Sequence, residues 1–310
     1  MLAALPAGAS KAIELVTPIE CPEGVFCYIQ SLVDRDAGPG AQDFACGPLS
    51  YDGHQGVDFR VPTMADLARG VPILAAAPGV VRATRDGERE EGAKGVAKGR
   101  DCGNGVVLDH GGGWTTQYCH LAMGGVEVSN GQRVAAGERI GRMGFSGRTD
   151  FPHLHLTLRR NGVVVDPFDG RISRAGCEEP DERDLWLDPV AAPLGGLVDE
   201  AIVGAPPTLE AVREGRGAAP LTRKADVLVF WSRAYGVRIG DEVDLTLYRP
   251  DGSVLAETVR TLERNRFEEM SFVGRKRPAG GWAPGRYRAI SVLRREGAIM
   301  EQREIFADIP

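Results

Sequence analysis

Short runs of alternating apolar and polar residues, separated by glycine-rich turns, fill the chain from Gly53 to about residue 168. This period-two pattern is typical of antiparallel strands with one buried face. The predicted strands are 57–61, 79–84, 105–109, 114–121, 139–143 and 154–159. Asn161-Gly162 follows the last strand and predicts a two-residue hairpin turn. A short helix is predicted at 63–69, with Thr63 as its N-cap.

The same pattern returns after a stretch rich in proline and glycine at 189–207. The predicted strands here are 227–231, 242–248, 254–259, 286–293 and 299–306. About seven strands in roughly a hundred residues are typical of an immunoglobulin-like β-sandwich. Sandwiches of this kind serve many functions, so the pattern alone assigns no chemistry to the second half.

Charge and hydropathy exclude two classes of protein. The chain has 310 residues and a net charge of −6, and no apolar run is long enough for a transmembrane helix. Residues 200–310 carry 18 basic and 16 acidic side chains, a net charge of +2, which leaves −8 for residues 1–199. Nucleic-acid binding requires a concentrated basic face, which neither half predicts.

Four of the five histidines fall in three short elements of the first half. His153 and His155 are two apart on a predicted strand, so both imidazoles point to one face while the intervening leucines face the core. His54 precedes Asp58 by four residues, in a glycine-containing loop that leads into a strand. His120 ends a third strand. The fifth histidine, in Asp-His-Gly-Gly-Gly, is interpreted as a loop residue.

These elements resemble the lysostaphin-type (LytM-like) zinc endopeptidases, which cut peptidoglycan cross-bridges. That family is marked by His-x-x-x-Asp, Tyr-x-His-Leu, and a Gly-x-Ser/Thr-Gly-x-Ser/Thr turn before His-x-His. The corresponding residues here are His54 with Asp58, Tyr118 with His120, and 144–149 before His153 and His155. The resemblance covers about residues 45–168.

The resemblance implies one Zn²⁺ ion with His54, Asp58 and His155 as ligands, and His120 and His153 as catalytic groups. Tyr118, Ser146 and Thr149 are expected to line the substrate groove. A zinc ion with three protein ligands leaves a position for water, whose pKa it lowers. No His-Glu-x-x-His motif supplies a glutamate base, so a histidine is expected to move the proton.

Six cysteines remain outside this site. An even number without a Cys-x-x-Cys pair favours disulfides and an oxidising compartment, the bacterial periplasm or exterior. Cys21 and Cys27 flank a short turn, and Cys102 and Cys119 flank a predicted hairpin in which Asp109 faces Trp114. Those pairs leave Cys46 with Cys177. Buried free thiols are the alternative.

The predicted fold class is mainly β: an antiparallel β-sheet zinc peptidase domain followed by an immunoglobulin-like sandwich. The expected divisions are 1–11, a signal-peptide remnant; 12–50, a segment packed on the catalytic domain; 51–170, the peptidase domain; 171–207, a linker; and 208–310, the sandwich. The N-terminus has the small residues of a secretory signal but no basic region, so an unremarkable disordered start is the alternative. The charged loop at 85–103 either rims a groove or is a solvated loop.

The expected function is hydrolysis of peptide bonds in peptidoglycan stem peptides or cross-bridges by an exported enzyme. One alternative is a non-catalytic protein that binds or activates other wall hydrolases, as members that have lost metal ligands do; here all five family residues are present. A second alternative is a secreted protease for glycine-rich proteins. The sequence predicts no nucleic-acid partner, and it leaves any protein partner of the second half unidentified.

Overall fold

The computed structural model describes residues 13–94, 96–177, 184–188, 190, 195–218 and 220–310. The predicted signal remnant, 1–11, lies outside these ranges, as does part of the predicted linker. Seventeen strands and two short helices form in the described residues, which confirms the mainly β class. Neither helix has the length and hydropathy needed to span a bilayer.

A ten-stranded antiparallel sheet occupies the first half of the chain. Its strands are β1 Tyr28–Ser31, β2 Val57–Arg60, β3 Pro72–Leu74, β4 Gly79–Arg85, β5 Asn104–Gly111, β6 Trp114–Val126, β7 Arg133–Val134, β8 Arg139–Met143, β9 His153–Arg160 and β10 Val163–Val165. The main order is β1-β2-β9-β6-β5-β4-β7; β10 pairs with β9, and β8 pairs with both β3 and β6. All six strands predicted in this half are present.

Helix α1, Met64–Leu67, lies between β2 and β3 and is shorter than predicted. Thr63 is its N-cap, as expected: the Thr63 hydroxyl oxygen accepts a hydrogen bond from the backbone N–H of Asp66 at 3.0 Å. The predicted Asn161-Gly162 turn also forms, and Arg160 and Val163 on either side of it are paired.

Two details of the sequence interpretation are wrong. In the β5–β6 hairpin, Trp114 faces Gly111 and Asn104 faces Leu121, because bulges at both ends shift the expected pairing. His110 is the second-last residue of β5 and not a loop residue.

The sheet buries the apolar face of β9 as alternation predicts. Leu154, Leu156 and Leu158 have 0%, 1% and 1% of their surface exposed and belong to the main core of the first half. Burial of a leucine side chain contributes about 1.5–3 kcal/mol each. The opposite face of β9 therefore carries its histidines towards a separate site.

Two smaller sheets make up the second half of the chain. The strands are β11 Gly196–Val203, β12 Val227–Val237, β13 Glu242–Tyr248, β14 Val254–Thr261, β15 Arg266–Lys276, β16 Gly285–Arg295 and β17 Ala298–Ile309. Helix α2, Leu209–Arg213, follows β11. The sheet orders are β11-β12-β15 and β14-β13-β16-β17, and apolar residues from both sheets share one core.

This arrangement corrects the predicted linker. Strand β11 lies inside 171–207 and pairs along its length with β12, so the sandwich includes residues from Gly196 onward and not only those after 208. The fourth strand, β14, pairs with β13 in the second sheet, whereas constant-type immunoglobulin domains place it in the first. The immunoglobulin-like assignment therefore stays a prediction.

The N-terminal segment joins the large sheet through β1, which pairs with β2. All three predicted disulfides form: Cys21–Cys27, Cys46–Cys177 and Cys102–Cys119. No cysteine is free. The second of these ties the segment before β2 to the chain after β10.

A buried charge cluster holds the same two parts of the chain together. The guanidinium of Arg35, with none of its side chain exposed, donates to Asp169 and lies 3.7 Å from Asp166. Asp43 is also buried nearby, but its carboxylate accepts three backbone N–H bonds. Asp166 accepts only from the Phe168 N–H, and its Oδ2 has no hydrogen-bond partner among the described residues.

One guanidinium cannot neutralise three buried carboxylates, so the least stabilised of them should keep its proton. Burial, and to a smaller degree Asp169, raise the pKa of Asp166 from 3.8 to about 7. In the unfolded chain the Asp166 carboxyl ionises near pH 4, whereas in the folded chain it keeps its proton up to about pH 7. The free energy of unfolding therefore falls as the pH rises from about 4 to about 7. The loss is on the order of 4 kcal/mol.

Asp166→Asn, which cannot ionise, should therefore lose less stability than the wild type between pH 4.5 and pH 8. Urea unfolding at the two pH values measures the difference. Asp169→Asn is the matched control: it removes the direct partner of Arg35 and should destabilise at both pH values. Equal pH slopes for the wild type and Asp166→Asn would show that Asp166 is already ionised in the folded protein.

Candidate metal centre and active-site groove

The register of the large sheet brings the three histidine-containing elements together. Strands β2 and β9 pair so that Asp58 faces His155 and Arg60 faces His153. On the other side of β9, Cys119 of β6 faces His155, which places His120 at the same point of the sheet. Residues that are up to 101 positions apart in sequence thus meet at one face.

His54 lies in the loop before β2 and is oriented by the N-terminal segment. Its Nδ1–H donates to the carbonyl oxygen of Leu32 at 2.6 Å, so in the neutral ring the lone pair of Nε2 is available to a metal ion. That nitrogen lies 3.2 Å from Asp58 Oδ1 and 3.1 Å from His155 Nδ1. The predicted segment 12–50 therefore supplies an orienting contact to this site.

Three donor atoms converge at this point: His54 Nε2, Asp58 Oδ1 and His155 Nδ1. The third separation, from His155 Nδ1 to Asp58 Oδ1, is 2.8 Å, and His155 Nε2 is occupied by Thr157 Oγ1 at 3.0 Å. Ligands of a tetrahedral zinc ion lie about 3.3 Å apart when the bonds are about 2.0–2.1 Å long. Two imidazole nitrogens and a carboxylate oxygen with this spacing fit such an ion.

The electrostatic surroundings of Asp58 and His54 favour the charged form of each residue. Burial alone would raise the pKa of Asp58, but His54 and His153, with hydrogen bonds from His155 and His54, hold it well below its usual range. Burial would lower the pKa of His54, yet the Asp58 carboxylate raises it overall. A carboxylate that stays ionised while buried is a suitable metal ligand.

His120 reaches the site through an unusual backbone conformation. Its φ is +64°, in the left-handed region, and its neighbours fix it there: its N–H donates to Cys102 O and its carbonyl accepts from Gly144 N, both at 2.9 Å. Its Nδ1–H donates to Ser146 O at 2.7 Å. Burial, followed by His153 and His155, lowers the pKa of His120 well below 6.5, so the imidazole is neutral.

His153 stands beside His120, with 4.6 Å between the ring centres. Its Nδ1–H donates to the Phe151 carbonyl at 2.9 Å and lies 3.1 Å from the Thr149 hydroxyl. Its Nε2 lies 3.5 Å from Asp58 Oδ1. Burial lowers the pKa of His153 to about 4. Two neutral imidazoles therefore lie next to the three donor atoms without belonging to that set.

A groove of about 540 Å³ opens over the two imidazoles. It is lined by Gln30, Ser31, Tyr51, Asp58, Arg60, His120, Arg148, Thr149, Asp150, Phe151, His153, Arg213, Arg266, Phe267 and Glu268. Thr149 is among the lining residues. Its hydroxyl also donates to Phe151 O at 2.6 Å and so helps to hold His153.

The other two predicted groove residues do not line the groove. Tyr118 is fully buried, and its hydroxyl accepts from the Ala76 N–H at 2.7 Å in the core. Strict alternation would place Tyr118 and His120 on one face, but the positive φ of His120 turns its side chain to the opposite face. Ser146 is also fully buried, and its hydroxyl donates to Leu121 O at 2.6 Å beneath His120.

The fifth histidine takes no part in this site. His110 lies in a separate cavity of about 690 Å³ at the edge of the sheet, lined among others by Pro78, Gly79 and Asp109. Its ring nitrogens contact Pro78 O and Thr116 Oγ1, both at 2.8 Å. Both nitrogens are satisfied locally, so the residue has a structural role.

Several groove residues carried no signal in the sequence. Arg60 is fully buried next to the site, and its guanidinium lies 4.5 Å from the centre of the Phe151 ring. The ring of Tyr51 lies 4.4 Å from that of His54. Only the adjacency of Tyr51 and Arg60 to the His-x-x-x-Asp motif could have pointed to them.

Two imidazoles and one carboxylate, of which the carboxylate of Asp58 lines the groove, lie beside two neutral histidines and form a candidate centre for a metal-dependent hydrolase. Residues 52–167 match the family model described as Peptidase family M23. The chain therefore contains an M23 peptidase domain of the LytM type, as the resemblance implied.

Curated relatives match the same part of the chain. The peptidoglycan DD-endopeptidase ShyA of Vibrio cholerae serotype O1 is 34% identical over 134 residues, which is 43% of this chain and 26% of that protein. The DD-carboxypeptidase/endopeptidase Mpg of Neisseria meningitidis serogroup B is 35% identical over 116 residues, 37% of this chain and 22% of that protein. The chain thus spans about a quarter of the length of these relatives.

Among solved structures, the catalytic domain of lysostaphin from Staphylococcus simulans is similar to this chain. The two are 28% identical, and the match covers 39% of this chain and 82% of that domain, with a TM-score of 0.28.

Proposed function

We propose that this protein is a zinc-dependent endopeptidase that hydrolyses peptide bonds of peptidoglycan. The observation that carries the proposal is the convergence of His54, Asp58 and His155 at mutual distances of 2.8–3.2 Å, beside two neutral imidazoles in one groove. A non-catalytic binding protein has no need for all five of these side chains.

A zinc ion held by those three residues would supply Lewis-acid chemistry, which polarises a peptide carbonyl and makes water more acidic. The residues of the chain do the rest. His120 and His153 have their Nδ1–H groups occupied by Ser146 O and Phe151 O, so each turns an unprotonated Nε2 to the groove. One of these nitrogens accepts the proton of the attacking water. The other imidazole can donate a hydrogen bond to the negative charge that develops on the carbonyl oxygen once its own Nε2 has taken up a proton.

The substrate and location are proposed from the relatives and the cysteines. Two relatives are named as endopeptidases with DD specificity, which supports bonds of that kind in peptidoglycan as the substrate. Three disulfides support an exported protein in the periplasm or outside the cell.

Incubation of purified peptidoglycan with the zinc-loaded protein tests the proposal. Mass spectrometry should reveal new peptide termini after incubation. They should be absent with a chelator and return when zinc is restored. His54→Ala, treated identically, separates cleavage at this site from a contaminating hydrolase.

Unchanged peptidoglycan with the zinc-loaded protein would contradict the proposed activity. If the protein then increased cleavage by another purified wall hydrolase, an activator role would replace it. Cleavage of glycine-rich proteins without any cleavage of peptidoglycan would instead favour the secreted-protease alternative.

A further inference from the structure

The C-terminal sandwich forms part of the groove that contains His120 and His153. Helix α2 contributes Arg213 to the lining, and the start of β15 contributes Arg266, Phe267 and Glu268. The groove therefore has two walls, one from the peptidase domain and one from the sandwich. The sandwich wall is called the sandwich edge below and consists of Arg213, Arg266 and Phe267.

A buried ion-pair network fixes this wall in place. Glu268, 8% exposed, accepts from Arg60 of the peptidase sheet at 3.2 Å and from Arg233 of the sandwich at 2.8 Å, and it also pairs with Arg213. Arg233 in turn donates to the carbonyl oxygen of Pro62 at 3.0 Å. Such a network tolerates little sliding of one part against the other.

Two further contacts set the position of Phe267 itself. The side-chain amide of Gln30 donates to the Phe267 carbonyl at 2.9 Å. The Phe267 ring lies 6.4 Å from the ring of Tyr51, which contacts His54. With 36% of its surface exposed, Phe267 offers an apolar face to the groove, beside Tyr51.

The sandwich edge carries an excess of positive charge. Within the sandwich, Arg213 and Arg233 balance the charges of Glu268 and Asp199, and Arg60 of the peptidase sheet joins this network as a third arginine. The excess on the sandwich side comes from a second group, in which Arg260 and Arg266 face Glu269 alone and leave a net charge of +1. The side chains of Arg213 and Arg266 are 42% and 36% exposed, so their free N–H groups can reach a ligand.

The opposite wall lacks this excess. Its exposed charged residues are Arg148, which pairs with Asp101 of the 85–103 loop at 2.6 Å, and Asp150. The groove is therefore polarised across its width, with the positive side on the sandwich. A peptide lying along it would place any carboxylate towards Arg213 and Arg266, since arginine forms charge-assisted hydrogen bonds with carboxylates.

We propose that the sandwich edge is a substrate-binding wall that selects peptides with a free carboxylate. This inference rests on the proposed function for the identity of the peptide. Arg213 and Arg266 bind the carboxylate, and Phe267 packs against the peptide backbone next to the reacting bond. The C-terminal sandwich is then a specificity element of the active site.

Binding of peptidoglycan fragments tests the wall separately from cleavage. The probe is a pool of purified cross-linked muropeptides. The comparison ligand is the same pool with its carboxylates converted to carboxamides. The zinc-depleted wild type should bind the carboxylate pool roughly 10-fold more tightly, the value of one or two charge-assisted hydrogen bonds. The double variant Arg213→Gln, Arg266→Gln should bind both pools equally, and Phe267→Ala should weaken both.

Controls come from the same strand. Arg275→Gln and Phe272→Ala change exposed residues of β15 that do not line the groove, and both should bind as the wild type does. Arg266→Glu should reverse the preference. No binding by the wild type, no preference between the pools, or an unchanged preference in the double variant would each overturn the inference. A preference for the carboxylate pool without any cleavage after zinc loading would leave the inference standing and contradict the proposed activity.

Discussion

Replacing His54 by alanine is expected to abolish both zinc binding and peptide-bond hydrolysis. The substitution removes one of three donor atoms and leaves Asp58 and His155 alone at the site. Two protein ligands do not make a catalytic zinc site, which usually has three. Enzymatic accelerations begin at about 10⁶-fold, and all of this depends on the metal, so activity should fall to background. Metal analysis of the purified variant and the peptidoglycan assay measure the two losses together.

Asp58→Ala and His155→Ala should behave in the same way, because each removes another member of the set. His110→Ala is the matched control: it deletes a histidine whose ring nitrogens contact Pro78 and Thr116 in a different cavity. It should keep zinc and activity. A His54→Ala protein with full zinc content would show that the ligand assignment is wrong.

The histidine set could be predicted because its geometry follows from short-range rules. Alternation along β9 places His153 and His155 on one face, and the His54–Asp58 spacing bridges a loop and the start of β2. Pairing of β2 with β9 then sets Asp58 opposite His155. The roles of these residues as ligands and catalytic groups stay predictions, although the structure brings all five together.

The groove lining could not be predicted in the same way. Alternation along β6 fails at His120, whose positive φ depends on hydrogen bonds to Cys102 and Gly144 from other parts of the chain. The local sequence does not specify that conformation, because a positive φ is uncommon for any residue other than glycine, even for histidine, which adopts it more often than most. The resemblance predicts Tyr118 in the groove, but its side chain belongs to the core.

The contact between the two halves of the chain also could not be predicted from the sequence. Arg60 and Glu268 are 208 residues apart, and each looks like an ordinary charged residue on a strand. The sequence gives no clear signal for strand β11, because the strand follows a proline- and glycine-rich stretch. Its pairing with β12 identifies it as part of the sandwich. Interactions between distant segments, and not local propensity, decide which residues complete this groove.

Replacing His120 or His153 by alanine should produce the opposite combination: zinc retained and turnover lost. Neither imidazole belongs to the group of three donor atoms, so the metal site keeps its ligands. Each variant loses an unprotonated nitrogen that is held at the groove by a hydrogen bond to Ser146 or Phe151. The expected decrease in kcat is on the order of 10²–10⁴-fold, the usual contribution of a positioned acid–base group. Metal analysis and initial rates on peptidoglycan measure both properties.

Thr149→Val provides a graded comparison for His153. It removes the hydroxyl that lies 3.1 Å from His153 Nδ1 and supports the Phe151 carbonyl, but it keeps the imidazole itself. We expect full zinc content and a smaller decrease in kcat than in His153→Ala, because the remaining bond to Phe151 still orients the ring. Loss of zinc from His120→Ala, together with retention of zinc in His54→Ala, would reverse the assignment of ligands and catalytic groups. Wild-type rates in both histidine variants would show that the proton is handled elsewhere.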